Sequence, residues 1–174
     1  AARGHGHVLI EGESGTGKEM LMRAIHAASP RAKAPFRIIN LAGVPANSVD
    51  SVLFGHEPGA FAGAFDRQIG ALQQCDGGTL VLDEVDRLSE HLQAKLLEML
   101  QTGIVRPLGA SHGFRIDIRL LSAGNLPLER LAQAGKFNPA LLERLAQTAI
   151  KLPPLRERPG DIAALTRHFL ARIG

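Results

Sequence analysis

Residues Gly12, Glu13, Ser14, Gly15, Thr16, Gly17, Lys18 and Glu19 read G-x-x-x-x-G-K-E, directly after the apolar run Val8-Leu9-Ile10. That spacing suits the binding of a phosphate chain. Three glycines let the backbone curl so that successive N–H groups converge on an anion. A helix opening near Lys18 adds its positive dipole end, and Lys18 itself places a point charge within reach of β- and γ-phosphates. A Gly-rich turn before a helix would share the glycines, but the buried strand before it and the helix after it favour the phosphate loop. Position 19 is Glu, where a Ser or Thr hydroxyl commonly binds Mg²⁺, so a metal here must find other ligands.

A second constellation lies in mid-chain. Leu80-Val81-Leu82 runs into Asp83 and Glu84, two carboxylates where a buried strand emerges at its C-terminal end, the edge at which open α/β sheets bind ligands. Asp83 suits the Mg²⁺ of a Mg–ATP complex, because Mg²⁺ takes few carboxylates and keeps its waters. Glu84 suits a base that polarises an attacking water. Acidic residues at strand ends also serve as helix caps; pairing with the phosphate loop favours chemistry. Asn40 and Asn125 stand at or just past strand ends on the same side. Either they are turn residues, or their amides orient Glu84 or its water.

The elements that must carry these groups follow from periodicity. Strands are expected at Val8–Ile10, Phe36–Asn40, Thr79–Asp83, Arg119–Ala123 and Thr148–Leu152. Helices are expected at Lys18–Ala28, with Leu21, Met22 and Ile25 on one face, and after a Ser89 cap, with Leu92, Leu96, Met99 and Leu100 in a stripe. Pro30–Pro35 reads as a turn and Asp161–Ile173 as an amphipathic stretch. Strands alternating with helices imply an α/β fold: a five-stranded parallel sheet covered on both faces.

With 174 residues, 45% of them hydrophobic, the chain can bury one sizeable core. A net charge of +3 without a basic run offers no grip on a nucleic-acid backbone. With neither Trp nor Tyr, a base-stacking platform would have to rest on seven Phe, so single-strand binding by stacking is not expected. The single Cys75 rules out an intrachain disulfide and fits a reducing, cytoplasmic setting. No segment has membrane-spanning length, so no membrane partner is expected. His5, His7, His26, His56, His91, His112 and His168 show no metal-ligand spacing. Both ends look cut, as in a piece of a longer protein.

Leu53 to Phe65 is apolar, rich in Gly and Ala, and lacks helix or strand periodicity. As a packed connector it would be unremarkable. As a surface loop, Phe61 between small residues suits insertion into a partner.

Here the chain resembles the AAA+ domain of sigma-54-dependent transcriptional activators, the bacterial enhancer-binding proteins. GESGTGKE at 12–19, LFGHE at 53–57, GAFAGA at 59–64, GGTLVLDE at 77–84 and LPPLRER at 152–158 carry the resemblance, and Glu19 is that family's own variant. It implies a P-loop NTPase (AAA+) αβα sandwich, with residues 1–155 as the nucleotide-binding core and 156–174 as the start of a helical lid that is mostly absent. ATP and Mg²⁺ are the implied cofactors, with hydrolysis to ADP and phosphate. Gly12 to Glu19 would form the nucleotide loop, Asp83 the Mg²⁺ carboxylate (through ATP) and Glu84 the base. Asn40 would pair with Glu84 and report nucleotide state, and Asn125 lies in a sensor region. Gly59, Ala60, Phe61, Ala62, Gly63 and Ala64 would touch the sigma factor, and Ile104–Arg115 would move with them. Ring oligomers, usually hexamers, are implied, with an arginine from the neighbour completing each site. Arg144 matches one such position. The implied partner is the sigma-54 RNA polymerase holoenzyme, whose closed complex is remodelled; DNA would be bound only through domains outside this chain.

Three departures are visible. Ala62 stands where the family loop GAFTGA has Thr, Asn138 stands at the other candidate finger position, and the lid's sensor arginine is missing. They support an alternative: a nucleotide-responsive assembly module of a transcription regulator that does not work through sigma-54. A generic P-loop kinase or GTPase would leave the GAFAGA stretch without a reason. Arg156 and Arg158 are expected to anchor the turn before the lid rather than touch phosphate.

Overall fold

The computed structural model describes residues 2, 4 and 6–173, with the side chains of all of these except 168, 169, 172 and 173. Five strands, β1 (Val8–Glu11), β2 (Phe36–Asn40), β3 (Thr79–Asp83), β4 (Arg119–Gly124) and β5 (Thr148–Lys151), form one parallel sheet in the order β2-β3-β4-β1-β5. The fifth strand stops at Lys151, one residue before the expected end.

Alternation along the strands splits the core into two layers. Val8, Ile10, Val81, Leu121 and Ala123 face α1 (Lys18–Ala27) and bury its Met22 and Ile25. Leu9, Leu80, Leu82 and Leu120 face the opposite way. They pack under α2 (Val49–Phe54), α3 (Ala71–Gln74), α4 (Glu90–Thr102), α5 (Leu128–Gln133) and α6 (Pro139–Leu145). Each such fully buried aliphatic side chain contributes about 1.5–3 kcal/mol relative to exposure. The sheet is therefore sandwiched between helical layers, and α7 (Ile162–Ile173) follows β5.

Helix α4 begins where the cap predicts: Leu92 N–H donates to Ser89 Oγ at 3.4 Å. It ends at Gly103, whose φ of 69° turns the chain left-handed. The Pro30–Pro35 turn is tied to the N-terminal edge of the sheet by Arg31, which donates to Gly78 O (3.1 Å), Asp117 O (3.0 Å) and the Asp117 carboxylate (2.7 Å).

One expectation is corrected. The stretch from Leu53 is not aperiodic throughout: Leu53 and Phe54, each 1% exposed, complete the buried face of α2. The chain then enters a short antiparallel ribbon, Gly55–His56 with Gln68–Ile69. A second ribbon pairs Ile104–Val105 with Phe114–Arg115.

Candidate functional site

Because all five strands are parallel, their C-terminal ends share one edge, and register decides which residues meet there. Glu11 lies opposite Gly124, and Asn40 opposite Asp83. Gly12 N–H extends the ladder to Gly124 O at 3.3 Å. Residues 12–17 then curl over this edge. Gly15 and Gly17 have φ of 79° and 92°, a left-handed conformation that L side chains resist. Gly12 is constrained differently: a Cβ there would come within 2.8 Å of Leu152 O. Gly17 caps α1 without any side-chain cap, so the leading N–H groups of a ten-residue helix remain unclaimed by side chains and present its positive end.

Lys18 is 8% exposed. Its Nζ donates to Gly12 O (2.8 Å), Glu13 O (3.0 Å) and Asn125 Oδ1 (2.6 Å). Burial lowers its pKa, while the charges of Asp83, Glu84 and Asp86 act in the opposite direction. The loop and the acid pair thus form one electrostatic site. Asp83 shows the converse: burial raises its pKa, against the Glu84 N–H (3.0 Å from Oδ1) and the Lys18 charge.

Glu84 is the only non-glycine described residue with positive φ, at 58°. Its carboxylate accepts from Arg87 Nε at 2.5 Å. The expected pairing of Asn40 with Glu84 is not the one formed: Asn40 Oδ1 accepts from Ala42 N at 2.8 Å, capping the turn that leaves β2. Asn40 reaches the right edge, but its amide oxygen is spent locally. Asn125 likewise orients Lys18 rather than Glu84, and its own N–H donates to Asp86 Oδ1 at 3.3 Å.

Sequence reasoning missed Asp86 and Arg87. Their signal was a third acid two residues past the pair, with a cation beside it. Glu19 makes a surface pair with Arg23 at 2.8 Å, and Ser14 is exposed. Thr16 Oγ1 donates to Glu13 O at 2.8 Å. Arg156 grips Glu13 through two bonds of 2.8 and 2.6 Å, and Arg158 donates to Thr16 O at 2.5 Å. Both arginines fasten the turn after β5 onto the loop itself. Beside Thr16 and Arg158 a cleft of about 540 Å³ opens, walled by Met20, Leu21, Leu152, Leu155 and Ile162.

Arg144 lies elsewhere. It is exposed in the last turn of α6, and its charge is felt at His7, just before β1. That is the sheet edge opposite the phosphate loop, so Arg144 does not serve the site of its own chain. Asn138 caps α6, accepting from Ala140 N (2.9 Å) and Leu141 N (3.2 Å), and donates its own N–H to Gln93 Oε1 (2.7 Å). Helix capping is a sufficient reason for Asn here.

The 59–64 loop stands on the first ribbon. Gly59 N bonds Ala64 O at 2.7 Å, and Ala64 N bonds Phe61 O at 3.0 Å, closing a tight tip. Ala62 is exposed within it. Glu57 N to Leu108 O and Leu108 N to Gly55 O, both 2.9 Å, zip its stem to the 104–115 segment. Phe61 is less prominent than its position suggested. It is 46% exposed with its ring edge on His56, whereas Phe65, which the sequence reading passed over, is 87% exposed.

Of the histidines, His7, His26, His56 and His91 are hydrogen-bonded into the fold. His5 and the His168 side chain lie outside the described residues. Among the described residues no cluster of three or more His, Cys, Asp or Glu side chains is arranged to hold a metal. No helix among them is long and apolar enough to cross a membrane.

The chain is 46% identical to the transcriptional regulatory protein FlbD of Caulobacter vibrioides, over 95% of this chain and 36% of that protein. It is 48% identical to the DNA-binding transcriptional regulator NtrC of Salmonella typhimurium, over 94% and 35% respectively. It therefore spans about a third of the length of these relatives. Its fold superposes on the crystal structure of NtrX from Brucella abortus in complex with ATP with a TM-score of 0.90 at 33% identity, covering 99% of this chain and 37% of that one. Residues 1–151 match the family described as the Sigma-54 interaction domain. With that match and these relatives, the chain belongs to the sigma-54 interaction domain family, carried on a P-loop NTPase fold.

Proposed function

We propose that this chain is the ATP-driven module of a sigma-54-dependent transcription regulator. In this reading it hydrolyses ATP to ADP and phosphate in a ring oligomer, a hexamer as implied by its family, and works on the closed complex of the sigma-54 polymerase. The observation that carries it is the meeting of Lys18 with Asn125 and with the charges of Asp83, Glu84 and Asp86 at one sheet edge. An anion cradle facing carboxylates fits a triphosphate carrying a divalent cation and little else.

The residues present fit that group. Gly12 to Glu19 hold the phosphates through backbone N–H groups and the Lys18 ammonium, and the apolar cleft beside Thr16 fits a base. Asp83 holds Mg²⁺ through the nucleotide. Bound Mg²⁺ supplies charge neutralisation on the transferring phosphoryl oxygens. Glu84 takes the proton side of water attack once Arg87 yields its carboxylate. Asn40 and Asn125 hold the edge around it. Arg144, remote from its own site, suits the site of a neighbouring subunit. The loop Gly59–Ala64 meets sigma-54. Residues 1–155 are the core and 156–174 begin the lid, with DNA contact left to other parts of the regulator, in the cytoplasm.

A crystallised NtrX bound to ATP is similar to this chain over nearly all its length, which supports nucleotide binding. No feature of the structure or of the relatives favours a module that has abandoned sigma-54. The deciding experiment is ATP turnover against protein concentration, wild type beside Arg144→Ala. Turnover per subunit should climb steeply with concentration and vanish in the variant. A concentration-independent rate, equal in both, would refute the shared site. Comparing Ala62→Thr with wild type in open-complex formation then tests whether the missing hydroxyl limits sigma-54 action.

A further inference from the structure

His56 sits where four segments converge, and none of the roles assigned above explains it. The residue is 8% exposed. Its Nδ1 lies 2.6 Å from Ser51 Oγ on α2. The same hydroxyl hydrogen-bonds Gln68 Oε1 at 3.3 Å, so Ser51 ties the imidazole both to α2 and to the ribbon and holds the ring plane. Gln68 is also the cross-strand partner of His56 in the ribbon. On its other side His56 bridges to Leu108 of the 104–115 segment. Against the imidazole lies the ring of Phe61, with centroids 4.9 Å apart and planes at 67°, an edge-to-face contact.

We propose that His56 is the positioning residue of the surface loop, tying Phe61 to helix α2 and holding it down on the stem. Phe65 supplies the internal contrast: four residues on, with no ring contact among the described residues, it stands 87% exposed against 46% for Phe61. Both phenylalanines are on the same small-residue loop, so the difference lies in what each ring rests on. The consequence for sigma-54 rests on the proposed reading of the loop; the positioning itself does not.

The chain has no Trp and no Tyr, so Phe61→Trp installs a sole fluorophore at the contact. Adding His56→Ala should raise acrylamide quenching of that indole about 2-fold, the ratio of the Phe65 and Phe61 exposures. Adding Ser51→Ala, which keeps the ring but removes its anchor, should raise it by less. Unchanged or lower quenching in either variant overturns the proposal. Should His56→Ala fail to fold by circular dichroism, Ser51→Ala alone decides. Without the reporter, His56→Ala should leave ATP turnover unchanged, and both His56→Ala and Phe61→Ala should weaken sigma-54 binding. Retained sigma-54 binding in Phe61→Ala, with the quenching rise intact, would refute the partner role of the loop and leave the His56 contact standing.

Discussion

Burial lifts the Asp83 carboxyl above its ordinary range, more than the Glu84 N–H and the Lys18 ammonium pull it down. A carboxyl whose folded pKa is raised binds its proton more tightly when folded. The stability that follows is present below the ordinary carboxylate value and is lost as pH rises through the raised one. Above that raised value the carboxylate works against folding, and in the proposed reading a bound cation offsets this. Asp83→Asn should melt higher than wild type without Mg–ATP, gain less stability than wild type when Mg–ATP is added because the loop and Lys18 still hold the phosphates, and show no Mg²⁺-dependent turnover. A melting curve with and without Mg–ATP checks all but the last point. Glu84 has a different dependence. Glu84→Gln keeps the shape of the site, so nucleotide binding should persist while turnover falls by about 10²–10⁴-fold, the usual worth of a positioned base. Equilibrium binding of labelled ATP beside a phosphate-release assay separates the two.

At the scale of elements, two positions test the packing around the sheet. Strands β2 and β3 approach closely where Thr79 N bonds Pro35 O at 2.8 Å. A Cβ on Gly78 would lie 2.1 Å from that same carbonyl oxygen. Backbone cannot move aside as a side-chain tip can. Gly78→Ala should cost about 1–3 kcal/mol, as overpacking does, read from denaturant midpoints. Asn138 caps α6 through two N–H groups. Asn138→Ala should cost about 1 kcal/mol of stability, whereas a residue there acting on phosphate would show its loss in turnover at unchanged stability.

For the whole molecule, Arg144 and the Lys18–Asp83 site occupy opposite edges of one sheet. A catalytic arginine so placed acts only across a subunit boundary. Arg144→Ala and Glu84→Gln should each be inactive alone, yet mixing them should restore turnover. Sites that combine an intact Glu84 with an intact Arg144 from the next subunit reappear at about one quarter of the interfaces in a random 1:1 ring. Phosphate release from the mixture, compared with each variant at the same total concentration, measures this directly. Silence of the mixture would mean that both residues are needed within one chain.

The glycine-rich loop, the acid pair at its strand end and all five strands were legible in the sequence because each depends on a local pattern. Glycine spacing sets a loop, β-branched and leucine runs set buried strands, and carboxylates at a strand end need only the strand to find their edge. Helix α2 escaped the periodicity reading because its six residues are too few to show a 3.6-residue stripe. Two of the pairings are local, Asn40 with Ala42 as a turn residue and Arg87 with Glu84 three residues apart. Tertiary structure alone decided Asn125 with Lys18 and Arg158 with Thr16, whose partners lie 107 and 142 residues apart, and strand register made that choice, which no local pattern encodes. The sequence by itself determined which groups reach the edge; packing determined which of them touch.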